Sequence, residues 1–212
     1  MKWLLLVLSS WLIFQCTTHE TAIKKELISY GPWIYADSMC ISSSHNVHYC
    51  LMMDSARGGA ELGFYTVKLL KKSSEGWLLT QTIENFFSEV SSIAPEFKDF
   101  DNDGIKDVLL YLGTGARGAN SFNALFLMDE KNDSLMFVRG SDGIPNLEID
   151  SATHAISGTA FSGKTSFMDY VLKEDSLIEV GGKTLSTDGE WTFQEQYIID
   201  SSGEEIIVKR DS

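Results

Sequence analysis

Short apolar runs alternate with polar turns along most of the chain. The runs cover residues 47–53, 64–70, 77–83, 108–112, 124–128, 135–138, 167–172, 177–180, 191–199 and 206–208. Between them lie turn-forming segments rich in Gly, Ser, Asn and Asp, such as 56–59, 73–76 and 201–203. This even spacing predicts an all-β fold, an antiparallel meander arranged as a sandwich or a small propeller-like assembly.

One short segment, residues 82–90, is predicted to be helical. No linker-like segment divides the rest of the chain of 212 residues. Residues 31–212 are therefore expected to form a single β domain of ordinary size.

The N-terminus has the features of an export signal. Lys2 precedes an apolar run over residues 3–14, which has the length of a signal peptide and is too short for a stable membrane span. Cys16 follows this run, where a bacterial lipoprotein carries its acylated cysteine. We therefore expect a lipoprotein-type signal peptide over 1–16, a tether over 17–30, and a lipid anchor as the only membrane attachment. The alternative is ordinary signal cleavage, which would release a soluble periplasmic protein.

The two remaining cysteines, Cys40 and Cys50, are expected to form a disulfide. Once Cys16 is acylated they are an even pair, and an exported compartment allows the bond. The Ser/Asn-rich centre between them could reverse the chain, so the bond would close a β-hairpin or a loop. The alternatives are two buried free thiols, or a copper or zinc site made from His45, His48 and a cysteine.

Acidic side chains outnumber basic ones by 30 to 17, which gives a formal net charge of −13. Nucleic-acid binding calls for basic patches, so this balance argues against a nucleic-acid partner. The charge would steer a basic protein partner toward the surface, although solubility alone also accounts for an acidic composition.

A cluster of aspartates around Gly104 is the strongest chemical signal in the chain. Its four carboxylates, which would repel one another without a cation, belong to Asp99, Asp101, Asp103 and Asp107. Oxygen ligands without His or Cys suit a hard ion, and calcium is the expected one. Gly104 can adopt the positive φ of a sharp turn, after which the carbonyl of Ile105 would add another oxygen.

This acidic loop differs from an EF-hand, which would need a bidentate Glu where Leu110 stands. The loop must therefore close at Asp107. The apolar residues 108–112 that follow are predicted to be a strand and not a helix. The alternative interpretation is a solvated acidic turn without an ion.

Two segments match nucleotide-binding patterns but lack the helix that such sites need. Residues 158–165 fit G-x-x-x-x-G-K-[ST], yet the apolar stretch after them ends at a turn within a few residues. Residues 113–118 fit G-x-G-x-x-G, yet a turn and another predicted strand follow. We expect no nucleotide site, and we interpret residues 113–118 as a flexible glycine loop joining two strands beside the calcium loop.

No catalytic motif emerges from the sequence. The chain has no H-E-x-x-H, no G-x-S-x-G and no cysteine with an obvious activating neighbour. A hydrolytic pair of carboxylates remains an alternative, but no pair is singled out among the many aspartates. A non-enzymatic binding protein is therefore expected.

Residues from about 85 to 185 resemble the calcium-binding periplasmic immunity proteins that neutralise lysozyme-like, peptidoglycan-cleaving effectors. That family carries D-V-N-F-D-G-Y-x-D-L, and residues 99–108 read DFDNDGIKDV, which keeps the ligand positions. Residues 146–150, 156–157, 170–172 and 177–180 follow in similar order and spacing. The aspartate segment is also similar to one FG-GAP repeat of integrin-type propellers. The resemblance implies a calcium-braced β scaffold that is similar to invertebrate-type lysozyme inhibitors.

Related lysozyme inhibitors insert a loop of the form S-G-x-x-Y into the enzyme cleft. The matching positions are Ser162, Gly163 and Lys164, but Ser166 replaces the tyrosine and Phe167 follows it. The resemblance therefore implies a partner-binding loop in which Lys164 meets catalytic carboxylates and Phe167 fills a sugar subsite. The alternative is an ordinary β-turn with Phe167 in the core.

Three functions follow from these observations. The first is a non-enzymatic inhibitor or immunity protein against a lysozyme-like hydrolase in the periplasm or at the cell surface. The second is a calcium-stabilised surface module, similar to FG-GAP proteins, that binds polysaccharide or another envelope protein. The third is a hydrolase with an unrecognised site.

Overall fold

The structure, a computed structural model, describes residues 35–39, 47–55, 63–89, 95–188 and 191–211. Nearly all regular structure in these ranges is β. The strands are β1 (Tyr35–Met39), β2 (Tyr49–Ser55), β3 (Gly63–Ser73), β4 (Gly76–Ser88), β5 (Glu96–Lys98), β6 (Asp107–Gly115), β7 (Asn120–Asp129), β8 (Ser134–Phe137), β9 (Glu148–Ile149), β10 (Ile156–Phe161), β11 (Thr165–Lys173), β12 (Ser176–Asp188), β13 (Trp191–Ile199) and β14 (Glu205–Asp211). Two 3-10 turns, Ala116–Gly118 and Ser141–Gly143, lie in the loops.

These strands form three antiparallel sheets. The first has the order β1–β2–β3–β4, the second β5–β6–β7–β8, and the third β14–β13–β12–β11–β10–β9. Within each sheet, strands that follow one another in the sequence are also hydrogen-bonded neighbours, and each such pair is antiparallel, as in a meander. The predicted all-β, antiparallel fold is confirmed.

The second sheet is buried on both faces. Alternate residues of β6 and β7, among them Leu110 and Phe126, pack with β2 and β3 in one apolar cluster. The residues between them, Leu109 and Leu125, pack with β9 and β10 in a second cluster. Because successive side chains of a strand point to opposite faces, a sheet covered on both sides needs continuous apolar strands. This explains the unbroken apolar runs at 108–112 and 124–128.

Two side-chain amides join neighbouring sheets where backbone pairing ends. The side chain of Gln81 on β4 donates to the carbonyl of Leu135 at 3.0 Å and accepts its amide at 2.7 Å. Asn120 on β7 accepts the amide of Phe161 at 2.9 Å and donates to the carbonyl of that residue at 3.3 Å. Each amide satisfies a backbone donor and acceptor on the adjoining sheet.

Eight of the ten predicted apolar runs lie wholly within strands, and the runs 47–53 and 135–138 extend past β2 and β8 by two residues and one residue. The predicted helix is wrong. Strand β4 continues through Ser88, so residues 82–88 belong to a strand that is interrupted only by Asn85, with φ 58°, while Val90 lies outside the described residues. Phe86 and Ser88 are buried and Phe87 between them is exposed. This two-residue alternation is the period of a strand, and pairing with β3 overrides the weak helical pattern.

Four strands were not predicted, namely β1, β5, β9 and β10. Three of them have five residues or fewer, and β10 contains Gly158 and polar residues that interrupt the apolar pattern.

In the part of the chain that the structure describes, no helix is long and apolar enough to cross a membrane.

Candidate metal centre and partner-binding loop

The acidic loop, residues 99–106, connects β5 to β6. Gly104 has φ +87°, in the left-handed region that favours glycine. No atom would contact a Cβ at this position, so the backbone turn and not a close approach accounts for the glycine. Strand β6 begins at Asp107, which confirms that the loop runs into a strand and not into an EF-hand helix.

Backbone amides inside the acidic loop point toward its own carboxylates. Asp99 Oδ2 accepts the amide of Gly104 at 3.0 Å, and Asp103 Oδ1 accepts the amide of Ile105 at 2.7 Å. Asp101 Oδ1 accepts the amide of Asp103 at 3.1 Å. These bonds wrap the backbone around the carboxylates and hold several negative charges close together.

Three of the four aspartates converge. One carboxylate oxygen from each of Asp99, Asp101 and Asp107 lies within 4.8 Å of the others. The second oxygen of Asp99, Oδ1, is buried and accepts no hydrogen bond. A buried carboxylate oxygen without a donor is costly, and a metal ion among the three carboxylates would satisfy it. This group can therefore hold a metal ion.

Asp103 and Ile105 lie beside that group of three and line an open depression next to it. The far wall of the depression comes from the end of β7 and the following turn, with Asp129 and Glu130 among its residues. These two acids were not assigned to the site from sequence. They lie far along the chain in an ordinary turn segment, so no local spacing connects them to the loop.

Asp107 has a second, structural role. Its side chain is only 1% exposed, and its Oδ2 accepts the amide of Phe100 at 2.7 Å while Oδ1 accepts the amide of Met128 at 2.9 Å. One carboxylate thus connects the acidic loop, β6 and β7. Within the described residues, the carboxylates of Asp99 and Asp101 accept hydrogen bonds only from backbone amides of the acidic loop and from none in a strand.

Burial and mutual repulsion oppose ionisation of this cluster. Desolvation raises the pKa of Asp107 to about 7, with a smaller contribution from Asp101 and Asp103, against the lowering effect of its two backbone hydrogen bonds. Desolvation and the neighbouring charge of Asp103 raise the pKa of Asp101 to about 6. A divalent cation would offset both causes, because it attracts every carboxylate that the others repel.

The residues of the predicted partner-binding loop lie at the hairpin between β10 and β11. Ser162, Gly163 and Lys164 form its exposed turn, in which the amide of Ser162 donates to the carbonyl of Lys164 at 3.0 Å. Gly163 has φ +74°, and no atom lies within 4 Å of a Cβ built there. The turn therefore projects into solvent, where a partner can reach it.

Phe167 lies neither in this turn nor in a core cluster. It is half-buried in β11 opposite Thr159 and Lys183, and the Lys183 ammonium stands 4.7 Å from the centre of its ring. The alternative that Phe167 is a core residue is wrong, because its position in the strand directs it to the outer face of the third sheet. Its role as a partner contact stays a prediction. Phe161, one residue before the turn, is instead the exposed aromatic side chain, at 41%.

The outer face of the third sheet carries further exposed apolar side chains. Val171 pairs with Ile178 on this face, while Leu172 and Leu177 on the opposite face pack toward the second sheet. The large exposed side chains there are Phe161, Val171, Ile178, Val180, Ile198, Ile206 and Val208. A face of this kind is typical of a surface that binds another molecule.

The glycine loop does not lie beside the acidic loop. Its residues 113–115 are the last three residues of β6 and residues 116–118 follow them, whereas the acidic loop precedes the N-terminal end of the same nine-residue strand. At about 3.3 Å a residue the two loops are about 26 Å apart. The sequence-based placement is wrong because a strand separates its two flanking loops, while the interpretation of 113–118 as a strand connection agrees with the structure.

The other segment that matches a nucleotide-binding pattern, residues 158–165, belongs to the β10–β11 hairpin, and no helix follows it among the described residues.

The cysteine predictions fall largely outside the described residues. Strands β1 and β2 pair antiparallel with Ser38 opposite Cys50, so the chain does reverse between the two cysteines. Cys40 is outside the described residues, as are Cys16, His45 and the whole of 1–34, so the disulfide, the acylation and the tether stay predictions.

No family model matches the chain, and neither does any curated protein. Among solved structures, the fold is similar to that of a Xanthomonas type IV secretion system related protein, with a TM-score of 0.52. The two chains are 14% identical, and the match covers 82% of this chain and 93% of the other. At this identity the likeness shows a shared fold.

Proposed function

We propose that this protein is a non-enzymatic, calcium-binding envelope protein that inhibits a lysozyme-like peptidoglycan hydrolase. The observation that carries the calcium part is the convergence of Asp99, Asp101 and Asp107 around a buried carboxylate oxygen that has no donor. Calcium fits this donor set because the ligands are all oxygens and calcium accepts a flexible coordination geometry. Its role is to brace the scaffold, since binding only to the folded state stabilises that state.

The envelope location rests on the export signal and on Cys16 as the lipid-carrying residue. The structural neighbour is in keeping with this location, since that protein is related to a type IV secretion system. With a lipid at Cys16 and a tether over 17–30, the β domain would work next to the cell wall. A hydrolase of peptidoglycan is a partner that such a protein would meet there.

The inhibitory role is assigned to the turn of Ser162, Gly163 and Lys164. Lys164 is exposed and has no acidic partner among the described residues, so its ammonium is available to another molecule. Glycosidases of the lysozyme type use a pair of carboxylates in a cleft, and a lysine on a narrow hairpin is suited to enter it. Gly163 permits close approach because it has no side chain.

A turbidity assay of cell-wall lysis tests this proposal. The mature protein in calcium is added to several lysozyme types, and inhibition of at least one type at micromolar concentration is expected. Lys164→Glu and Gly163→Trp should each abolish most of that inhibition. Lys173→Glu is the matched control, since Lys173 is an exposed lysine at the opposite end of β11. An absence of inhibition by the unmodified protein for every lysozyme type would refute the inhibitory role.

The exposed apolar face of the third sheet favours a second candidate, a calcium-stabilised module that binds another envelope protein. Side chains such as Val171 and Ile198 offer an apolar surface that suits a protein better than a polysaccharide. Affinity capture from envelope extract, with and without chelator, distinguishes the two. Capture that is lost on Val171→Asp and unaffected by Lys164→Glu would favour this module over the inhibitor.

A further inference from the structure

We infer that the β6–β7 loop, with Arg117 at its tip, and the β10–β11 turn form one surface that binds an acidic, carboxylate-lined cleft. This inference rests on the proposed function and names a second recognition element for it. Phe161 is the aromatic contact of this surface, and Arg117 and Lys164 are its two cationic contacts.

The two loops are held together by hydrogen bonds between the sheets. The Asn120 side chain, only 8% exposed, pairs with both backbone groups of Phe161. Asn146 adds a second tie, because its Oδ1 accepts the amide of Ser121 at 3.0 Å and its Nδ2 donates to the carbonyl of Thr159 at 2.7 Å. The start of β7 and the end of β10 are therefore fixed relative to each other, and the loops at their ends share one end of the molecule.

The β6–β7 loop is shaped so that Arg117 is presented outward. Ala116, Arg117 and Gly118 have φ of 48°, 59° and 89°, so the chain makes a tight left-handed turn there. For the two residues that carry side chains this conformation is unfavourable, so it persists only because the flanking strands hold it. Arg117 is exposed at the apex.

The charge pattern of this end differs from that of the rest of the protein. Between Asp107 and Asp129 the only charged residue is Arg117, and between Asp150 and Asp169 the only acidic or basic side chain that is charged at neutral pH is Lys164. In a chain of net charge −13, the two neighbouring loops and the strand ends beside them contain no acid and form a local positive region. Such a region fits an acidic partner and contrasts with the remaining surface.

The two cations are also available for binding. Arg139 and Arg210 form ion pairs with Asp175 and Glu195, whereas Arg117 has no acidic partner within the described ranges. One acid does contact the loop, because the carboxylate of Glu89 accepts the amide of Thr114 at 3.1 Å. This carboxylate lies at the base of the loop, beside a residue three positions before Arg117, so one negative charge stands near the two cations, which outnumber it.

Phe161 supplies the apolar contact of this surface. It is exposed, its backbone is fixed by Asn120, and it pairs with Thr165 on the outer face of the hairpin. Aromatic and arginine side chains are typical of the residues that dominate binding energy at interfaces. It replaces the tyrosine that the loop pattern lacks at Ser166.

The test uses the full mature protein and the lysozyme type that it inhibits, with affinity measured by calorimetry at two salt concentrations. Arg117→Glu and Phe161→Ala should each weaken binding by ten-fold or more, and Arg117→Glu should also reduce the salt dependence. Lys173→Glu and Phe193→Ala are the matched controls. Lys173 is exposed at the opposite end of β11, and Phe193 is 39% exposed on the other face of the same sheet. The controls should change affinity by less than two-fold, and all four variants should keep the melting temperature of the unmodified protein.

The outcomes separate this inference from the proposed function. Binding that requires Lys164 but is unchanged by Arg117→Glu and Phe161→Ala would overturn the two-loop surface and leave the inhibitor intact. An unmodified protein that binds no lysozyme type would remove both. Equal weakening by the control Lys173→Glu would also overturn the inference, because the effect would then reflect overall charge.

Discussion

The carboxylate of Asp107 accepts the backbone amide of Met128 at 2.9 Å and so joins the end of the acidic loop to β7. Its other oxygen accepts the amide of Phe100, which makes Asp107 part of the fold whether or not an ion is bound. Asp99 and Asp101 have no comparable link to a sheet strand among the described residues. Substitution of Asp107 should therefore affect stability without calcium, whereas substitution of Asp99 or Asp101 should affect mainly the binding of an ion.

Asp107→Asn should destabilise the protein even in calcium-free buffer. An amide side chain has one oxygen acceptor, so either Phe100 or Met128 would be left with a buried, unsatisfied amide, at a cost of about 1–3 kcal/mol in the free energy of unfolding. Asp99→Asn in the same buffer should cause no such loss, because it removes charge repulsion. Urea denaturation of both variants with chelator measures the difference, and equal losses would contradict the separate roles.

Calcium should raise the melting temperature, and chelator should lower it. At a hundred times its dissociation constant, an ion that binds only the folded state contributes about 2.7 kcal/mol. Asp99→Asn and Asp101→Asn should lose most of this increment. Asp142→Asn, an exposed aspartate elsewhere, is the control and should keep it. Scanning calorimetry measures these melting temperatures. A melting temperature that is the same with calcium and with chelator would count against the site.

Gly182→Ala should be strongly destabilising. A methyl group at this position would lie well inside van der Waals contact of the Phe167 carbonyl oxygen, and close to the Tyr197 hydroxyl. The carbonyl belongs to the neighbouring strand β11 and cannot move without breaking the sheet, so a loss of about 1–3 kcal/mol is expected. Gly143→Ala is the control, since nothing lies near its Cβ, and it should change stability by at most about 0.5 kcal/mol. Comparable urea midpoints for the two variants would refute this packing argument.

Cys40 and Cys50 should be joined in protein isolated from the envelope. The antiparallel pairing of β1 with β2 already reverses the chain between them, so a bond would close a short loop. Intact mass before and after reduction, combined with alkylation, gives the answer. Two thiols that react with the alkylating reagent before any reduction would show that the bond is absent.

The strands could be predicted because their information is local. The runs 108–112 and 124–128 are apolar throughout, and the structure shows that these strands are covered on both faces. The acidic loop was equally accessible, since alternating aspartates around Gly104 specify both the turn and its chemistry within a few residues.

Contacts between distant parts of the chain could not be predicted in the same way. Asn120 binds the backbone of Phe161, and the acids Asp129 and Glu130 line the depression beside the acidic loop. No spacing or composition links such positions, because sheet stacking brings them together. The placement of the glycine loop was a different matter, since a strand over 107–115 already implies that its two flanking loops lie far apart.

The length of β6 has a consequence for how this protein can diversify. With the acidic loop at one end of the strand and the proposed recognition loops at the other, substitutions that retarget the protein need not touch the aspartates of the acidic loop. An ion bound by those aspartates would act as a stability reserve, which would let the other end tolerate strained turns and unpaired cations that a less stable scaffold could not. Loop exchange between variants of this fold should therefore transfer partner choice as a separable module.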